Sequence, residues 1–136
     1  METSEKKGTL IHTISHVEKF HDVFKIGNRY TPTAEISENE YMLRYNLLKE
    51  ENEEYLDACK NGDLVEIADA LGDQLYILFG TILRHGLQHK IEEDFEEIQR
   101  SNMSKLDQNG KPIYREDGKV LKGPNYFRPD FSSILK

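Results

Sequence analysis

The chain has 136 residues, of which 37% are hydrophobic and 32% charged, a balance that favours one soluble globular domain with a modest core. A single cysteine, Cys59, excludes an internal disulfide framework and suits a reducing compartment; METSEKKGTL lacks the apolar run of a signal peptide, so a cytoplasmic location is expected. A formal charge of −7 argues against a general nucleic-acid binder. The Ile67 to Leu83 run is short and contains Asp69 and Asp73, each costing roughly 3 kcal/mol at a bilayer centre, which excludes a membrane span.

In chain order, Ser15-His16-Val17-Glu18 fits a capping box, followed by Val17, Phe20, His21 and Phe24 at helical spacing, with Gly27 as the stop. Residues 27–36, with Pro32, read as a loop. Ser37-Glu38-Asn39-Glu40 opens a long helix that ends at Asn61-Gly62, and Asp63-Leu64-Val65-Glu66 opens an apolar helix that ends at His85-Gly86. A shorter helix follows from about Gln88 to Arg100, with Ile91, Phe95 and Ile98 facing inward. The helical pattern stops at Ser101. Asp117-Gly118, between Pro112-Ile113-Tyr114 and Val120-Leu121, predicts a small hairpin, and Pro124 and Pro129 argue against further helix.

These elements predict an all-α bundle of four to five helices in one domain over 1–136, with a helical core at about 13–100 and an irregular C-terminal arm at about 101–136. The middle of the chain is acidic, whereas Lys105, Lys111, Arg115, Lys119, Lys122, Arg128 and Lys136 make the last third basic. The helix from Asp63 is apolar nearly all round and wants neighbours on every side, so a homodimer or a dimer of dimers is expected.

Most of the functional information lies in two groups of acids, Glu50-Glu51-x-x-Glu54 and Asp69-x-x-x-Asp73. At about 100° per residue, Glu50, Glu51 and Glu54 share an arc with Leu43, Leu47 and Ala58, which should face a core. Asp69 and Asp73 stack at i, i+4. Like charges about 5 Å apart repel by roughly 3 kcal/mol at an effective dielectric near 20, so such acids take up protons or bind a cation. Mg²⁺, with Mn²⁺ as the alternative, prefers all-oxygen ligands and keeps waters, which suits carboxylates from two facing helices with a substrate phosphate. A solvated acidic helix face would show the same glutamates.

The stretch Leu47-Leu48-Lys49-Glu50-Glu51-Asn52-Glu53-Glu54, with Ala70-Leu71-Gly72-Asp73-Gln74-Leu75-Tyr76, resembles the MazG-like all-α nucleoside triphosphate pyrophosphohydrolases. That superfamily includes phosphoribosyl-ATP pyrophosphohydrolases and dimeric all-α dUTPases, and its pattern is EExxE on one helix and ExxD on the next. Gly80-Thr81, the segment from Phe95 to Lys105 containing SNMSK, and DGKVLKGPNY at Asp117 to Tyr126 resemble its phage and bacterial branch. The chain departs from the pattern at Ala70, where the second motif has Glu. Either Asp69 replaces that Glu beside Asp73, the preferred register, or the pair is Glu66 and Asp69.

The resemblance implies hydrolysis between the α- and β-phosphates of a (deoxy)nucleoside triphosphate to monophosphate and pyrophosphate, in nucleotide-pool control. It implies metal ligation by Glu51, Glu54, Asp69 and Asp73, with Glu50 as a further ligand or as the base for water; Glu50 and Glu51 are the expected catalytic acids. Asn102, Lys105 and Lys122 would meet the polyphosphate with Tyr126 nearby, Arg44 would supply a counter-charge, and His21 would be a pocket wall or a core residue. Phosphoribosyl-ATP is the alternative substrate, and a catalytically silent acidic binding protein is the alternative from another class. Cys59 reads as a small buried residue.

Overall fold

A computed structural model describes residues 8–136. It contains four helices, α1 (Leu10–Val23), α2 (Glu38–Lys60), α3 (Leu64–Arg84) and α4 (Ile91–Met103). Among the described residues there is no β-strand, only an isolated antiparallel bridge between Tyr114 and Val120. The fold is all-α. The chain divides into two compact units, the first ending at His89 and the second running from Lys90 to Lys136. That division falls ahead of α4, which groups with the arm rather than with the helical core expected at about 13–100.

In the first unit, α1 starts earlier than its sequence suggests. The Thr9 hydroxyl accepts from the His12 N–H at 3.2 Å, so the chain is already helical when it reaches Ser15. Ser15 does not cap; its hydroxyl donates back to the His12 carbonyl at 2.6 Å. The helix ends at Val23, where Lys25 adopts φ 62° and the N–H groups of Ile26 and Gly27 return to the His21 carbonyl at 2.8 and 3.1 Å.

The other two starts follow the expected chemistry. Ser37 accepts from the Glu40 N–H at 3.1 Å, and Asp63 accepts from the Glu66 N–H at 3.1 Å. The Glu40 carboxylate, however, leaves the capping box and is gripped by Arg29 and Arg84.

The short link through Gly62 turns α3 antiparallel to α2, and side-chain ties run down the pair in order. Gln74 reaches Glu51 and Asn52, Arg44 reaches Ile77 and Thr81, and Arg84 reaches Glu40. Helix α1 packs on α3, with Phe20 edge-on to Tyr76 at 5.5 Å between ring centroids. Ile14, Val17, Ala58, Ala70, Ile82 and Leu83 form the core. Fully enclosing a side chain such as Leu83 stabilises the fold by about 2–3 kcal/mol. The loop after α1 is laced to the end of α3, because Arg29 and Thr33 donate to the carbonyls of Leu83 and His85 at 2.9 and 2.8 Å. Gly86, at φ 67°, lets Thr31 pass so closely that a β-carbon there would stand 2.2 Å from its carbonyl oxygen.

In the second unit, α4 carries Glu92, Glu93 and Asp94 in its first turn, where the helix dipole favours negative charge. It runs to Met103, about one turn beyond the expected stop, because the tail supports its end: Ser101 donates to the Phe127 carbonyl at 2.8 Å. Phe95 and Ile98, expected to face inward, are exposed; only Ile91 is half-buried. The hairpin at Asp117-Gly118 forms, with Arg115 N–H bonded to the Lys119 carbonyl at 2.7 Å and Leu121 N–H to Ile113 at 2.8 Å. Among the described residues, no helix is long and apolar enough to cross a membrane.

Candidate active site

The acids of the first unit sit where α2 and α3 run side by side toward the Gly62 turn. The expectation that all five face buried surface is corrected by the structure. Glu50, Glu54, Asp69 and Asp73 are exposed, and only Glu51 is half-buried. The wheel gave the right side of α2 but not how far its cover extends. Helix α1 packs on α3, so the exposed part of α2 has no third helix of the first unit packed closely against it.

Glu51 is nonetheless singular. Its Oε1 is enclosed and has no hydrogen-bond partner. Burial first, then the charges of Glu54, Asp73 and Asp69, hold its carboxyl above the usual carboxylate range. Negative charge gathered around an enclosed carboxyl favours uptake of a proton or a cation. Four predicted site residues, Glu51, Glu54, Asp69 and Asp73, are therefore brought into one field.

Among the described residues, no three His, Cys, Asp or Glu side chains are gathered closely enough to hold a metal ion as they stand. The donor chemistry fits a hard divalent cation, and the orphaned Glu51 oxygen fits a ligand awaiting its charge partner. Ala70, at the position of the motif Glu, is 2% exposed and belongs to the core. A carboxylate there would bury its charge, which is costly without a partner.

Two residues missed by sequence reasoning organise the cluster. The Gln74 amide donates to the Glu51 carbonyl and to Asn52 Oδ1, each at 3.3 Å, which fixes α3 against α2 one residue from each key acid. Their signal was adjacency to Glu51 and Asp73. An open groove of about 760 Å³ runs beside them, lined by Tyr45, Leu48, Leu71 and Leu75 with Lys49, Asn52 and Gln74 as its polar members.

Arg44, expected as a counter-charge at the substrate, and His21, expected as a pocket wall or a core residue, are both buried. Arg44 Nε donates to the Thr81 hydroxyl at 3.0 Å and Nη2 to the Ile77 carbonyl at 2.8 Å. Burial, then the nearby Arg84, lowers its pKa, and Glu40 opposes the shift. His21 is 2% exposed, with Nδ1 near the Gly27 carbonyl at 3.1 Å and Asn28 Oδ1 at 3.0 Å, so the ring ties α1 to the loop after it. Burial, reinforced by Arg44, pushes its pKa down. Cys59, expected to be buried, is exposed.

The remaining predicted residues lie in the second unit. Asn102 is exposed on the last turn of α4, and its carbonyl accepts from the Lys105 N–H at 3.1 Å. Lys122 Nζ stands 4.9 Å from the Tyr126 ring centroid. Gly123 passes so near the Lys105 and Leu106 carbonyls that a β-carbon would meet them at 2.7 and 2.4 Å, which brings the Lys105 and Lys122 segments together.

An all-α protein with an acid cluster between two antiparallel helices is the class that fold and site define. The chain matches the family model described as phosphoribosyl-ATP pyrophosphohydrolase over residues 17–102, more than half its length. It belongs to that family. It is also similar to "Uncharacterized protein L479" of Acanthamoeba polyphaga mimivirus, 36% identical over 83 residues, which is 59% of this chain. The chain matches 33% of that relative, about a third of its length. Family membership supports a pyrophosphohydrolase-type activity and leaves the substrate open.

Proposed function

We propose that the protein is a divalent-metal-dependent pyrophosphohydrolase that cleaves a nucleoside or deoxynucleoside triphosphate at the α–β phosphate bond. The observation that carries this reading is the enclosed, unpartnered Oε1 of Glu51 within the field of Glu54, Asp73 and Asp69. Those four carboxylates would hold Mg²⁺, or Mn²⁺ in its place. A bound divalent ion supplies charge neutralisation for the phosphate oxygens and polarises the phosphoryl group.

Glu50, exposed beside Glu51, orients the attacking water and accepts its proton. The water oxygen bonds to phosphorus as the bridging P–O bond breaks; monophosphate and pyrophosphate leave. Gln74 and Asn52 keep the acid-bearing turns of α2 and α3 in register. The working unit is a homodimer, because a single copy leaves Leu71, Leu75 and Leu78 of α3 exposed.

The family description favours a second substrate, phosphoribosyl-ATP, whose anhydride would be cut in the same way. Purified protein incubated with each nucleoside and deoxynucleoside triphosphate and with phosphoribosyl-ATP, with Mg²⁺ or Mn²⁺, separates these readings once the products are resolved. Monophosphate with pyrophosphate from a triphosphate supports the first; turnover of phosphoribosyl-ATP alone selects the second. No turnover of any substrate with either ion would leave an acidic binding protein.

A further inference from the structure

His12 and His16 lie four residues apart on α1, so both rings stand on one face of the helix, one turn above the other. Their Nε2 atoms are 3.0 Å apart and their rings meet edge to face, with centroids at 4.5 Å. The contact is exposed. Neither side chain belongs to the acid cluster, and neither is used in the core, where His21 alone of the α1 histidines is buried.

Two neutral imidazoles can hold this contact only if one Nε2 carries a hydrogen and the other accepts it. A metal ion replaces that single proton with two bonds, moving the hydrogen to the far nitrogen of its ring. The spacing also selects among metals. Nitrogens each about 2.0–2.1 Å from one ion and 3.0 Å from each other subtend roughly 90–95° at it. That is the angle of adjacent positions in a square-planar or octahedral shell, whereas a tetrahedral ion would need the nitrogens a few tenths of an ångström further apart. Imidazole pairs in such a shell favour Cu²⁺ and Ni²⁺, in the order of their general affinities. Among the described residues, no third His, Cys, Asp or Glu joins the pair, so water or an outside ligand completes the shell.

We propose that His12 and His16 form a two-histidine chelate on the exposed face of α1 that binds a borderline transition-metal ion, Cu²⁺ or Ni²⁺ ahead of Zn²⁺. The site is independent of the carboxylate cluster, which offers only oxygen. Occupation would clamp the first turns of α1.

The full chain titrated with Cu²⁺ in millimolar Mg²⁺ tests this, read by electron paramagnetic resonance and by calorimetry. The expected result is one Cu²⁺ per chain with two equatorial nitrogens. His12→Gln and His16→Gln should each remove one nitrogen and weaken binding by about tenfold or more, the second site of a chelate being lost. Gln keeps a good helix former on an exposed face, and circular dichroism reports whether α1 survives. A wild-type spectrum with fewer than two nitrogens would overturn the proposal, as would affinity unchanged in either variant. The wild-type spectrum decides the matter even if a variant does not fold.

Discussion

The side-chain amide of Gln74 on α3 reaches the main-chain carbonyl of Glu51 on α2 at 3.3 Å, so the backbone that carries the enclosed acid of the cluster is tied to the residue after Asp73. This tie holds four like charges in one place against their repulsion. The arrangement costs stability until something positive arrives.

Glu51→Gln should therefore act oppositely on stability and on activity. Glu51's folded pKa lies above its ordinary value of 4.5, so its ionisation destabilises the fold as pH rises from about 4.5 through the folded value. The amide removes that penalty. In metal-free buffer at pH 7 the variant should melt at or above the wild-type temperature, while stabilisation by added Mg²⁺ shrinks and turnover falls roughly 100-fold or more. Thermal unfolding with and without Mg²⁺, beside a pyrophosphate-release assay, checks all three. A variant that is both destabilised without metal and fully active would show that Glu51 is a packing residue.

A β-carbon on Gly80 would stand 2.5 Å from Arg44 Nη2 and 2.9 Å from His21 Nε2. Gly80 is what allows a guanidinium to cross from α2 and bond to Ile77 and Thr81 within the core. Gly80→Ala should cost about 1–3 kcal/mol by overpacking, despite the better helix propensity of Ala. Adding Arg44→Met, whose flexible side chain can give way, should recover part of that loss, because the two residues share the notch. Urea unfolding of the two single variants and the double variant measures the coupling. Strict additivity would mean that the notch relaxes without Arg44.

The Glu40 carboxyl is bound first by Arg84, with Arg29 adding to the effect against an opposing cost of burial, and its pKa falls to about 2 from 4.5. A depressed carboxyl contributes stability that is complete above pH 4.5 and is lost as pH falls through about 2. Glu40→Gln should cost roughly 2–3 kcal/mol near pH 7, with the gap to wild type closing by pH 2–3. Denaturant unfolding at pH 7, 4 and 2.5 follows the gap. Curves that stay parallel would show that the carboxylate charge is not what holds the loop to α3.

Local chemistry is what the sequence exposes well. Ser37 and Asp63 cap where their side chains and the residues three positions on require it, and the Asp117-Gly118 turn forms between its flanking apolar residues. The acid pair of helices is legible for the same reason, since EExxE and Asp73 are spacings along one chain. Depth of burial is not local. Which acids are covered depends on which helices pack against α2 and α3, and Arg44 is a core residue only because Gly80, 36 positions away, leaves it room. Likewise Thr9 captures the start of α1 before the Ser15 box can act. Ala70 marks the boundary between the two kinds of information: its departure from the acidic pattern is visible in sequence, but its reason, a place in the core, is not.

Leu71, Leu75 and Leu78 are exposed along α3 beside Tyr45 of α2, an apolar face too continuous to be chance in a charged chain. A second copy supplying the same face would bury it about a two-fold axis. If Leu71 and Leu75 each contribute about 1.5–3 kcal/mol to association, replacing both by Glu weakens the dimer by 100-fold or more. Sedimentation velocity at tens of micromolar should then show a dimer for the wild type and a monomer for L71E/L75E. Circular dichroism should show helical content retained, since both positions are already at the surface of the single copy and Glu is a good helix former. A monomeric wild type at that concentration would remove the dimer from the proposed function and leave the bare face of α3 to another partner.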